Sequence, residues 1–118
     1  MNINLYQYRA FVTKVYDGDT ITVEIDLGFN SFIKGEKVRL NRINAPEITG
    51  NTREKGLLTR DYLRSLILEK EILLETIKDK KGKYGRYLGE VFVKDINETW
   101  ININDHLVEK DFAHYKDY

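Results

Sequence analysis

Residues Thr20–Asp26 alternate without a break: Ile21, Val23 and Ile25 fall on one face, Thr20, Thr22 and Glu24 on the other. A period of two puts apolar groups on one side of an extended strand, so this segment belongs in a sheet with one covered face. Four more runs carry strand character: Tyr8–Tyr16, Phe32–Ile43, Glu71–Ile77 and Tyr87–Lys94. In the third run along the chain Val38 and Leu40 face away from Arg39 and Asn41, and in the fifth Val91 and Val93 form the apolar face. Asp17-Gly18-Asp19, between the first two runs, is a hairpin-type turn signal. One strong helix interrupts the strands. Leu58, Tyr62 and Leu66 recur at helical spacing, with Leu63 and Ile67 flanking the stripe. Asn51 and Glu54 offer a capping pair at its start. A shorter helix near Asn102–Lys110 is expected to pack Ile103 and Leu107, capped by Asn102 or Asn104.

Three strands, a helix, two strands and a short helix make an α+β, mainly β, chain. The order fits a five-stranded antiparallel barrel of the OB type, with a helix between strands 3 and 4 and a short C-terminal helix. A split ferredoxin-like sandwich fits less well, because it requires two equivalent helices earlier. The 118 residues suit a single domain over 1–118 with one core. No cysteine is present, which excludes disulfides, thiolate metal sites and Cys nucleophiles. His106 and His114 lack a third nitrogen ligand, so a catalytic zinc site is not expected. No apolar stretch reaches membrane-spanning length, and residues 1–7 do not read as a signal peptide. The expectation is a cytoplasmic monomer without an obligate protein partner, unless a leader precedes this chain.

The formal net charge is zero, from 19 basic and 19 acidic residues. That excludes nucleic-acid binding by bulk charge but not a local basic site. Residues 34–60 and residues 78–86 are both strongly positive, whereas residues 87–118 are negative. On charge alone, solvated loops explain these blocks more simply than one basic face.

Four polar clusters sit at strand ends or turns. Asp17-Gly18-Asp19-Thr20 sets a second carboxylate at the mouth of a strand, its glycine letting the chain reverse. Arg39 lies on a strand that otherwise buries Val38 and Leu40. In Asn44-Ala45-Pro46-Glu47 the only proline ends the ladder and re-aims Glu47. Lys83-Tyr84-Gly85-Arg86 is a turn whose glycine permits close backbone approach and whose cations suit phosphate. Taken singly, each is an ordinary turn or strand exit.

In this order and spacing the clusters, followed by Asn-x-x-Leu-Val-x-x-x-x-Ala from Asn104 to Ala113, resemble the staphylococcal nuclease (thermonuclease) family over nearly the whole chain. The resemblance implies an OB-fold, calcium-dependent phosphodiester hydrolase that is indifferent to the sugar. Its substrates would be DNA and RNA, single-stranded or frayed, with no membrane involved. It implies Asp19 as a metal ligand, Arg39 and Arg86 on the scissile phosphate, and Glu47 as general base through water. It further implies Lys83 and Tyr84 as contacts to the phosphate on the 3′ side. Many members of the family have Asp where Asn44 stands, as a second carboxylate on the metal. Asn44 keeps an oxygen ligand and loses a charge, so calcium binding is expected to weaken, with magnesium or manganese as alternatives.

The chemistry holds together without the family. Phosphodiester hydrolysis needs a cation on a non-bridging oxygen, an oriented water and positive charge for the pentavalent state. Asp19 suits the first need, Glu47 the second, Arg39 and Arg86 the third. A catalytically silent OB module that binds nucleic acid or a protein is the competing reading, and Asn44 is the one residue in its favour. Trp100 reads as a partly buried anchor and His114 as a surface residue.

Overall fold

The structure, a computed structural model, describes residues 5–81 and 85–116. Five long strands form the barrel: β1 (Gln7–Asp17), β2 (Thr20–Gly28), β3 (Ser31–Leu40), β5 (Glu71–Lys81) and β6 (Tyr87–Lys94). The remaining elements are β4 (Ile43–Asn44), helix α1 (Arg53–Ile67), β7 (Trp100–Asn102), helix α2 (Ile103–Glu109) and β8 (His114–Tyr115). The sheet runs β3-β2-β1-β5-β6-β7, and β3 pairs back onto β6 to close the barrel. The expected OB-type α+β arrangement is therefore present, with one correction. The closing pairing is parallel, Val38 against Tyr87, Arg39 against Leu88 and Leu40 against Gly89, whereas all five strands were expected to be antiparallel. A pairing between strands so distant in sequence leaves no turn signal to read.

The alternation on β2 behaves as expected, with Ile21, Val23 and Ile25 all buried. On β1 the buried set is Ala10, Val12 and Val15, because a register shift between Val12 and Lys14 moves the inward face by one residue. Lys14 consequently points out of the barrel, opposite Thr22. The third run breaks at Arg42, whose φ of 68° lies in the left-handed region, so β3 ends at Leu40 and β4 is a separate short strand.

Helix α1 covers one end of the barrel with Gly56, Thr59, Leu63 and Ile67 buried. The expected stripe is rotated: Tyr62 and Leu66 pack partly against the core, but Leu58 is 63% exposed. The seam passes through small residues because the helix backbone lies directly against the 45–48 segment and the β1–β2 turn. A Cβ on Gly56 would overlap the Glu47 carbonyl, and one on Gly18 would overlap Thr59 and Ala45. The cap also differs. Thr52 is the N-cap, preceded by a single 3₁₀ turn over Gly50–Thr52 that contains Asn51, and no side chain caps the helix. Thr52 instead donates through Oγ1 to the Glu47 carbonyl at 2.9 Å.

Helix α2 is capped by Asn102, whose side chain accepts from the Asp105 N–H, and it buries Ile103 and Leu107. Asn104 is fully buried within it. Its Oδ1 accepts from Val91 N at 3.1 Å, and its Nδ2 donates to the carbonyls of Asn41 and Gly89 at 2.9 and 3.0 Å. It thus ties β6 to the residue that follows β3, adding to the backbone bond from Asn41 N to the Gly89 carbonyl at 2.8 Å. Trp100 is 51% exposed on β7, with Lys94 Nζ 5.0 Å from its ring centroid, rather than partly buried. No helix among the described residues is long and apolar enough to cross a membrane.

Candidate active site

The β1–β2 turn, the β3 end, β4 and the start of β6 converge on a cleft of about 490 Å³. Asp17, Asp19, Thr20, Arg39, Asn44, Glu47, Arg86 and Lys116 line it, together with Tyr16, Ala45, Ile48, Thr49 and Leu88. Barrel closure brings these residues together: Thr20 pairs with Arg39 across β2–β3, and Arg39 with Leu88 across β3–β6.

Asp19 and Arg39 are both buried. Asp19 Oδ2 lies 3.1 Å from Arg39 Nη1 and accepts from Ala45 N at 2.8 Å. Arg39 also donates from Nη1 to the Ile43 carbonyl at 3.2 Å, and from Nη2 to Asn44 Oδ1 at 3.1 Å. Thr20 Oγ1 accepts from Arg86 Nη1 at 3.0 Å and donates weakly to Asp19 Oδ1 at 3.4 Å. A continuous polar chain therefore links Arg86, Thr20, Asp19, Arg39 and Asn44.

The Asp19 carboxyl is raised to about 7, chiefly by burial and then by the neighbouring Asp17 charge. The Arg39 guanidinium and the Ala45 N–H act in the opposite direction without prevailing. Asp17 is tied to this carboxylate by the turn itself, its Oδ1 accepting from Asp19 N at 3.1 Å. Beside the Arg39 guanidinium, the oxygen groups at this end of the cleft are two carboxylates and an amide, Asp17, Asp19 and Asn44. That donor set fits calcium or magnesium, which take oxygen ligands and fill remaining positions with water. Among the described residues no group of three or more His, Cys, Asp or Glu side chains gathers in a metal-binding arrangement. The protein's contribution to such a site would rest on Asp19 and Asn44, supported by Asp17.

Glu47 is exposed at the cleft, directly after Pro46. Its backbone is fixed from below by Gly56 and Thr52, so two features of the 50–56 segment position the carboxylate. Lys83 and Tyr84 lie outside the described residues. Gly85 has a φ of 78°, with no described residue near where a Cβ would stand, whereas Gly18 is crowded without positive φ. Gly85 thus supplies conformation, and Gly18 also supplies space for Thr59 and Ala45.

Among the lining residues that the sequence did not assign to the site are Asp17, Thr20, Tyr16 and Lys116. Thr20 stands in the turn motif and was legible there. Tyr16 ends the first strand run. Lys116 had no local signal: it arrives because β8 pairs with β4, Asn44 against His114 and Ile43 against Tyr115, and Lys116 N donates to the Arg42 carbonyl at 2.7 Å. Arg42 anchors this return through Glu90 and Asp105, at 2.6 and 2.9 Å. The C-terminal return therefore brings the basic Lys116 to the cleft, while Glu90 and Asp105 are engaged by Arg42.

A family model described as "Staphylococcal nuclease homologue" matches residues 37–118, from β3 onward. The chain is also 33% identical, over 90% of its length, to the uncharacterized protein MJ1439 of Methanocaldococcus jannaschii. It spans 58% of that relative's length. The fold, the cleft and the family match agree, and the chain belongs to the staphylococcal nuclease homologue family.

Proposed function

We propose that the chain is a divalent-cation-dependent nuclease that hydrolyses phosphodiester bonds of DNA and RNA without selecting the sugar. The observation that supports this reading is the meeting of Asp19, Arg39, Asn44, Glu47 and Arg86 in one cleft. Asp19 and Asn44 would hold the cation, and bound calcium, or magnesium or manganese in its place, supplies a Lewis acid to a non-bridging phosphate oxygen.

The remaining work falls to the chain's own groups. Arg86 presents a planar fork to the scissile phosphate, oriented by its bond to Thr20. Arg39 adds a second fork whose direction is set by backbone carbonyls and Asn44. Both meet the charge that grows on the equatorial oxygens of the pentavalent state. Glu47 orients the attacking water and takes its proton as the new P–O bond forms, the ester P–O bond breaks, and the departing ester oxygen takes a proton from solvent water to leave as a hydroxyl. Lys83 and Tyr84 would contact the phosphate on the 3′ side. Recognition directed at phosphate suits single-stranded or frayed substrates without base preference.

The test is digestion of single- and double-stranded DNA and of RNA with calcium, magnesium, manganese or chelator. Cleavage that needs a divalent cation, with kcat falling about a hundredfold in Arg86→Lys, is the expected result. A folded protein that binds nucleic acid in a salt-dependent way but cleaves with no cation would instead be a silent binding module.

A further inference from the structure

A second depression, of about 970 Å³, adjoins the cleft and shares Tyr16, Thr20, Ile48 and Arg86 with it. Its lining includes five cationic residues, Lys14, Lys37, Arg60, Arg64 and Arg86, and no acidic one. In a chain of zero net charge this is a segregated feature.

Its construction follows from strand register. Lys14 on β1 stands opposite Thr22 on β2, and Thr22 stands opposite Lys37 on β3. The three side chains form a row across the sheet, with both lysines exposed. Lys14 reaches the outer face only because of the register shift on β1. Helix α1 forms the opposite wall. Arg64 docks the helix by donating from Nη2 to the Val15 carbonyl at 3.0 Å, and Arg60 shares its charge with Asp61, which does not line the depression. Thr22 lies two residues along β2 from Thr20, the residue that holds Arg86. The lysine row is therefore displaced from the cleft by about 7 Å, on the order of the spacing of phosphates along an extended strand.

We propose that this groove carries the nucleic-acid strand beyond the scissile phosphate, with Lys14 and Lys37 engaging the next phosphates along its backbone. The inference rests on the phosphodiester reading of the cleft and extends it to the path of the substrate. A polyanion is the ligand that five like charges select, and the groove shares Arg86, Thr20, Tyr16 and Ile48 with the cleft, so a strand leaving the cleft at Arg86 meets the groove there. Tyr16 is 62% exposed where the two depressions meet and offers a ring to a base at that point.

The test measures binding of a fluorescein-labelled oligothymidylate in chelator, where no cleavage occurs, across a salt series. The variants are Lys14→Gln combined with Lys37→Gln and, as a charge-matched control, Lys34→Gln combined with Lys110→Gln, exposed positions outside both depressions. Loss of two phosphate contacts should weaken binding about tenfold at low salt. It should also reduce the slope of log K against log salt by about 1.4, and the control should keep the wild-type slope. A wild-type slope in the first variant, or an equal drop in the control, overturns the proposal. So does polyglutamate binding with the same affinity and the same loss, which would assign the groove to acidic polypeptide. Cleavage is read separately on the wild-type protein. Absent cleavage together with the expected slope change supports the groove while removing the nuclease reading.

Discussion

Arg39 donates through Nη2 to Oδ1 of Asn44 at 3.1 Å, turning the amide oxygen of Asn44 toward the end of the cleft where Asp19 lies. The guanidinium thus spans both oxygen groups assigned to a cation. Replacing Asn44 with Asp adds a full charge at this point with little change of shape. Calcium should bind about tenfold more tightly to Asn44→Asp, measured by titration calorimetry. An unchanged Kd would remove position 44 from the cation site.

Asp19 predicts an inverted pH dependence. Its carboxyl rises from 3.8 to about 7 on folding, so the native state keeps a proton that the unfolded chain has lost. Protonation therefore favours the native state between those values, and stability falls as pH rises through that window, levelling above it. Without divalent cations, Tm should decline by roughly 15 °C across the window, and Asp19→Asn should abolish the decline. Parallel curves for the two proteins would place the charge cost elsewhere.

Gly56 tests how Glu47 is held. Alanine is the better helix former by about 1 kcal/mol. Here, however, its methyl would meet the Glu47 carbonyl and Ile48 Cα, so the backbone must move. Gly56→Ala should lose about 1–3 kcal/mol in urea unfolding and lower kcat about tenfold through displacement of Glu47. A stabilised variant would show that the contact is loose.

Asn104 makes a prediction about the barrel alone. Leucine has similar bulk but removes the acceptor of Val91 N and the donor to the Asn41 carbonyl, while the Gly89 carbonyl keeps only its bond from Asn41 N. Asn104→Leu should cost about 2–4 kcal/mol, read from denaturant midpoints. A cost near zero would mean that water replaces the amide.

How legible each feature was depends on how local its cause is. The period of two on β2 and the helical stripe of α1 are written within a few residues, and both elements exist where expected. Parallel closure through Arg39 and Leu88, the return of β8 and the arrival of Lys116 are set by pairings that no local window contains. The residues of the cleft could be read because turn chemistry marks them: Asp17 to Thr20, Pro46 before Glu47, Gly85 before Arg86. Lys14 and Lys37 could not, because one register shift decides which way Lys14 faces. The crowding at Gly18 and the positive φ at Gly85 were not legible, since sequence does not distinguish a demand for space from a demand for φ. Leu58 was misassigned because Gly56 and Thr59, which carry the real seam, look unlike core residues.

The parallel pairing of β3 with β6 has a consequence for how the molecule comes into being. Arg39 sits on that seam, and Arg86 lies two residues before its partner Leu88. The complete β1–β3 meander holds Asp19 beside Arg39 but lacks Arg86. Arg86 joins them through Thr20 only after β3 has paired with β6, a non-local pairing that by contact order is slow to form. Any activity recovered on refolding would therefore time the closing of the barrel. A chain caught halfway would keep most of its β-structure and have no assembled cleft.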